Sequence, residues 1–195
     1  NLNYENNEIS FDIENYGHFD LPLYGQHQLL DALAVITVCT LEGIPAKEVQ
    51  NNLKNFKGAK RRFTETFVGS NVLIDDYAHH PAEVKATIDA IKQKYPEKSI
   101  VIVFQPHTFT RTKEFYKDLI EIFKTVDASY ILDIHPAREA QTDYPDITSN
   151  LIIDALDNSY HININEASLL SKYDNTVFAF MSPNDISILE KTLEK

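Results

Sequence analysis

Cysteine is nearly absent from this 195-residue chain. Cys39 stands alone, so no intrachain disulfide can form, and a reducing cytoplasm suits the composition. Glycine is scarce too. There are five, and none belongs to a Gly-x-x-Gly-Lys-Thr/Ser segment, which excludes a phosphate loop and its magnesium chemistry. No apolar run approaches the ~18 residues of a membrane span, and no signal peptide is visible. Positive charge is in deficit. The formal net charge is −11, and no basic cluster exists beyond Lys60-Arg61-Arg62. That argues against nucleic acid as a partner, but leaves room for local cationic pockets. The chain also lacks an initiator methionine and opens at Asn1 in strand-like sequence, as expected of a fragment of something longer. What is present is ordinary for a globular protein, with 43% apolar and 24% charged residues. The length suffices for one or two domains.

Ile9 to Ile13 alternates apolar and polar residues, as a half-buried strand does. With a second strand at His18 to Leu23 it predicts a hairpin within residues 1–24. Helices are expected at about 28–41 and 46–56, the second started by Pro45. Strands follow at 63–68 and 71–74. The rhythm then becomes strand–helix alternation. Strands at 72–74, 99–104, 129–134, 161–164 and 176–181 alternate with helical stretches at 82–94, 113–124, 149–156, 167–170 and 185–193. Strands 99–104 and 129–134 are nearly continuous apolar runs, as in parallel strands covered on both faces. The pattern predicts an α/β domain with a doubly wound, mostly parallel sheet. The boundary is placed between 1–62, the end of a different domain, and 63–195.

Unusual polar residues collect after the strands. Asp75-Asp76-Tyr77-Ala78-His79-His80-Pro81 follows one, and Gln105-Pro106-His107-Thr108-Phe109-Thr110-Arg111-Thr112 the next. His135-Pro136-Ala137-Arg138-Glu139 and Ser182-Pro183-Asn184-Asp185 follow two more. All four should share the carboxyl edge of the sheet, where this architecture holds ligands. Each has a plainer reading. The aspartates can cap a turn, Asn184-Asp185 can be a helix cap, and Arg138-Glu139 can be a surface ion pair. Adjacent His79 and His80 seldom ligate one ion, and no partner stands at zinc spacing, so no metal site is expected. Arg111 at a helix start opposes the helix dipole. A bound anion would resolve that conflict.

These residues resemble the Mur ligases. Asp75 to Glu83 and Phe104 to Thr112 carry the likeness. Upstream, Gly25-Gln26-His27-Gln28-Leu29-Leu30-Asp31-Ala32 is similar to the family's Gly-x-His-Asn-x-x-Asn-Ala segment. Gly58-Ala59-Lys60-Arg61-Arg62-Phe63 resembles its Gly-x-Gly-Arg-Arg-Phe linker. The four segments occur in family order over nearly the whole chain. The resemblance implies the tail of the central ATP-binding domain (1–62), then the Rossmann-like domain that presents the amino acid (63–195). It points to the branch that joins L-alanine to UDP-N-acetylmuramate in peptidoglycan precursor synthesis, in the cytoplasm. ATP and Mg2+ would serve the intact enzyme, through an acyl phosphate that the alanine amine attacks. The phosphate loop would lie in missing domains, so this chain alone should be inactive. By the same resemblance, His27, Asp31, Arg61 and Asp76 would meet ATP. His79 and Arg111 would hold the alanine carboxylate, with Tyr77 and His107 lining that pocket. Asp31 and Gln28 replace family asparagines, Thr108 stands where many members have arginine, and Ser182-Pro183-Asn184 replaces Gly-Ala-Gly. Two other readings stay open: a ligase that attaches recycled tripeptide, and an α/β binding module without catalysis.

Overall fold

The computed structural model describes residues 2–5 and 8–193. Asn1, Asn6, Asn7, Glu194 and Lys195 fall in the expected domain ranges but lie outside the described residues. The chain begins with three antiparallel strands in the order β1 (Leu2–Glu5), β2 (Glu8–Ile13) and β3 (Gly17–Leu21). The expected hairpin is therefore β2–β3, and the strand-like opening of the chain is β1, a third strand paired with β2. Alternation puts Ile9, Phe11, Phe19 and Leu21 on one face. They pack on Ala32 and Ile36 of helix α1 (Gln26–Leu41) and on Val49 and Leu53 of α2 (Ala46–Lys54).

Residues 55–63 lead to the second sheet. Arg61 and Phe63 both take left-handed φ angles, 56° and 54°. Such angles cost a side-chain-bearing residue about 1–3 kcal/mol unless neighbours hold them. Here Phe63 N donates to Asp76 Oδ2 at 3.0 Å. Tyr77 N donates to Arg61 O at 2.9 Å.

The second sheet has six strands: β4 (Thr64–Val68), β5 (Asn71–Asp76), β6 (Ser99–Phe104), β7 (Ala128–Ile131), β8 (Ser159–His161) and β9 (Thr176–Met181). Their spatial order is β4-β5-β9-β6-β7-β8. Every pairing is parallel except β4–β5. Helices α3 (Pro81–Lys94), α4 (Phe109–Phe123), α5 (Asn150–Ile153) and α6 (Ser187–Leu193) complete the fold. Two apolar cores flank the sheet. Ile74, Ile102 and Phe104 meet Ile88, Leu119 and Phe123 on one face. Leu73, Val101, Phe178 and Phe180 meet Leu170 and Leu189 on the other. Burial on both faces explains the continuous apolar runs.

Several boundaries differ from expectation, among them strands β7 and β8, which end at Ile131 and His161 rather than 134 and 164. Strand β5 runs on through Asp75 and Asp76, because they pair with Phe180 and Met181 of β9. Helix α4 starts at Phe109 rather than 113. The segment expected at 149–156 keeps only the short helix α5.

Candidate functional site

Because β5, β9, β6 and β7 run in the same direction, their carboxyl ends share one edge of the sheet. All four polar segments lie there. The first of them contributes to two concavities, and the second segment walls the smaller of these.

The larger is a cleft of about 630 Å³ between α1 and α3, walled by His27, Asp31, Arg62, Asp76 and Thr87 among apolar residues. That size suits a small organic ligand. Gly25 sets His27 in place. Its φ is 99°, and a Cβ there would lie 2.7 Å from His27 Cε1 and 3.0 Å from Ala90 Cβ. Only glycine lets α1 start this close to α3. Burial lowers the His27 pKa, with Asp76 and Asp31 pulling the other way. Gln28 Nε2 lies 3.3 Å from His27 Nε2. An amide nitrogen only donates, so this contact needs the lone pair on His27 Nε2.

Asp76 is buried and heavily engaged. Oδ1 accepts from Ala78 N at 2.8 Å. Oδ2 accepts from Phe63 N at 3.0 Å and the Thr87 hydroxyl at 3.3 Å. Burial raises its pKa against these bonds. Asp76 therefore ties the linker to β5 and α3 while forming part of the cleft wall.

Arg61 does not wall this cleft. Its guanidinium is turned from the cleft onto the β9–α6 loop. Nη2 donates to Ser182 O at 2.6 Å and Asn184 O at 2.7 Å, and Nε to Asp75 Oδ1 at 3.3 Å. The cationic place on the cleft wall belongs to Arg62. The same loop is pinned from its other side. Gln105 Oε1 accepts from the Ser182 hydroxyl and from Asn184 Nδ2, both at 3.1 Å.

The smaller concavity lies between the β6 end and α4, walled by His79, His107, Arg111, Thr112 and Phe115 among others. Arg111 Nη1 and His107 Nδ1 are both buried and without a hydrogen-bond partner. Such groups are costly to leave unmade. The His107 ring stacks on His135 (centroids 5.6 Å, 10°) and meets the edge of His79 at 5.6 Å. Burial, then His79, Arg111 and His135, lower the His107 pKa. Backbone bonds zip the two loops together: Thr108 N to His135 O at 2.8 Å and His135 N to Pro106 O at 2.9 Å. Thr108 takes φ 63° there, and its hydroxyl caps α4 by accepting from Arg111 N.

His79 and His80 diverge. His79 Nδ1 lies 3.0 Å from Tyr77 O. His80 Nδ1 accepts from Ala82 N at 3.2 Å and so caps α3. Tyr77 is not among the residues that wall this concavity. It touches the His79 ring at its edge but sits on the exposed flank, with the Arg61 and Arg62 guanidinium carbons 5.6 and 5.2 Å from its ring centre.

Glu139 belongs to the same edge of the sheet. Its carboxylate sits at the N-terminus of α4, where it accepts from Phe109 N (2.5 Å), Thr110 N (3.0 Å) and the Thr110 hydroxyl (2.6 Å). Slight burial opposes its charge, yet the Thr110 and Phe109 bonds hold its pKa below the usual range. The anion expected at that helix start is thus one of the chain's own side chains, and it supports the early start of α4. Its position in the third polar segment was the available signal. Among the described residues no group of three or more His, Cys, Asp or Glu is arranged to hold a metal ion.

Residues 61–177 match the profile of the family described as "Mur ligase, glutamate ligase domain". The chain belongs to the Mur ligase family. It is 45% identical over 183 residues to the UDP-N-acetylmuramate–L-alanine ligase of Lactobacillus acidophilus, covering 93% of this chain and 41% of that protein. The corresponding ligase of Lactococcus lactis subsp. lactis is 44% identical over 184 residues, with the same coverage. Among solved structures, UDP-N-acetylmuramate-alanine ligase MurC from Thermotoga maritima matches with a TM-score of 0.76 and 25% identity, over 95% of this chain and 42% of that one. A murein peptide ligase from Psychrobacter arcticus shares the fold at a TM-score of 0.64 and 16% identity. The Mur ligase chain described here thus spans about two-fifths of the length of these relatives.

Proposed function

We propose that this chain presents the amino acid within an ATP-dependent ligase that joins L-alanine to UDP-N-acetylmuramate. Residues 1–62 would close the ATP-binding domain, and 63–195 would form the amino-acid domain. The carrying observation is the pair of buried, unpartnered groups in the smaller pocket, Arg111 Nη1 and His107 Nδ1. A cation and an imidazole nitrogen facing one small space suit a carboxylate, which accepts from both. The neighbouring cleft suits the adenine end of ATP, with His27 and Asp31 at its wall and Arg62 supplying the cation. ATP supplies the phosphoryl group that activates the muramyl carboxylate. The residues of this chain hold the amino acid at the edge of the sheet, and that orientation is a large part of such catalysis. No Mg2+ step is assigned to these residues, since the described side chains do not form such a site.

The test uses the whole ligase. Phosphate release should require ATP, UDP-N-acetylmuramate and L-alanine together. Release that follows tripeptide instead would transfer the chain to the recycling branch. Binding without turnover would support a non-catalytic module.

A further inference from the structure

The amine that attacks an acyl phosphate must first lose a proton, because an ammonium group has no lone pair. We propose that His79 takes that proton, with Glu83 as its positioning residue. This rests on the ligase reading above and adds a base to it.

The ring's hydrogen-bond pattern makes the assignment. His79 Nδ1 lies 3.0 Å from the carbonyl oxygen of Tyr77. A carbonyl only accepts, so Nδ1 carries a hydrogen whether or not the ring is charged. In the neutral ring the lone pair therefore lies on Nε2, and no described residue bonds to it. His79 shares the small pocket with His107 and Arg111. A carboxylate held by those two would have its ammonium one carbon away, beside the concavity that His79 also walls.

Glu83 builds the other side. Its Oε2 accepts from His79 N at 3.1 Å and His80 N at 3.2 Å. The same oxygen stands 3.5 Å from His79 Nδ1. The carboxylate is thus fixed by two backbone groups, beside the nitrogen that bears positive charge once Nε2 is protonated. Partial burial opposes its ionisation, but the bonds from His79 and His80, with the nearby His79 and Arg62, keep its pKa below the usual range. This is the familiar arrangement of a base oriented by a third group. Around the pair stand Tyr77 on the same loop, His107 and Arg111 across the pocket, and His135 and Glu139 behind His107. His107 is the weaker base. Burial and the neighbouring His79, Arg111 and His135 disfavour its protonation, which suits it to donate to the carboxylate instead.

The step balances as follows. His79 Nε2 takes one proton from the ammonium group. The freed nitrogen lone pair bonds to the acyl carbon, and the carbon–oxygen bond to phosphate breaks with its electron pair. The second nitrogen proton leaves with the departing phosphate. His79 then returns its proton to solvent.

Two nucleophiles separate this role from simple binding. Hydroxylamine is already uncharged near neutral pH and traps acyl phosphates as hydroxamates. In the whole ligase, His79→Gln should lower kcat with saturating L-alanine by about 10²–10⁴-fold, the range for a lost general base. Hydroxamate formation from ATP and UDP-N-acetylmuramate should fall far less. Glu83→Gln keeps an oxygen for the two backbone donors and removes the charge. It should lower the alanine rate in the same selective way. Equal loss with both nucleophiles would overturn the proposal, as would a raised KM for alanine with kcat intact. If His79→Gln does not fold, the Glu83→Gln comparison decides alone. If the wild-type ligase forms no ATP-dependent hydroxamate, the ligase reading itself falls and takes this inference with it.

Discussion

Replacing Arg111 by Met tests whether its unpaired charge belongs to a substrate or to the fold. Met keeps an unbranched stem against the pocket wall and removes the guanidinium. In the ligand-free domain that guanidinium has a buried Nη1 with no partner, an arrangement that costs about 1–3 kcal/mol. Its removal should leave the urea midpoint of the domain unchanged or raise it. With substrate the sign reverses. A charge-assisted bond contributes about 1.5–3 kcal/mol, so the KM for L-alanine should rise about 10- to 150-fold at 1.4 kcal/mol per tenfold. The KM for ATP should move little, because Arg111 does not wall the larger cleft. Phosphate release by the whole ligase, titrated with each substrate in turn, reads both constants. Two results would refute the reasoning: equal rises in both constants, or a domain destabilised by more than about 2 kcal/mol.

Other consequences are independent of that one. Arg61→Met removes the clasp on Ser182 and Asn184 and should cost about 2 kcal/mol, discounted for partial exposure. A variant of normal stability with only a weakened ATP affinity would show that Arg61 serves phosphate after all. Gly25→Ala places a Cβ 2.7 Å from the His27 ring at a φ of 99°, and should destabilise by at least ~1 kcal/mol. Unchanged thermal unfolding would contradict this. His27 has a lowered folded pKa, so below about pH 6.5 the unfolded chain takes the proton first. Its contribution is therefore full above that pH and is lost as pH falls to the folded value. Comparing urea midpoints at about pH 7.5 and about pH 5.5, His27→Asn should flatten the difference, and an equal slope in both proteins would refute it.

Much of this was legible in the residues because the signals were local. Apolar runs such as Ile100 to Phe104 and Val177 to Met181 announce strands buried on both faces. Parallel order then places the segments after them on one edge without further information. What stayed hidden depends on partners far away in sequence. The true start of α4 depends on Glu139, and no local pattern reveals that an acid 30 positions on would cap it. Arg61 and Arg62 are adjacent and chemically equal. Only the left-handed backbone at Arg61 sends one guanidinium to the loop at 182–184 and leaves the other on the cleft.

The position of β9 has a consequence for how this molecule is made. It is the last strand among the described residues, yet it lies between β5 and β6 at the middle of the sheet. Val177 pairs with both Val72 and Ile100. Until β9 arrives, β5 and β6 each present an unpaired edge to the cell, and closing the sheet requires contacts of long sequence separation, which form slowly. The loops after β5 and β6, and with them His79 and Arg111, take their final spacing only when that strand lands. A nascent chain stalled before residue 176 would thus display sticky, half-built sheet edges and no pocket. Chaperone dependence during synthesis, relieved once residues 176–181 emerge, is the expected signature.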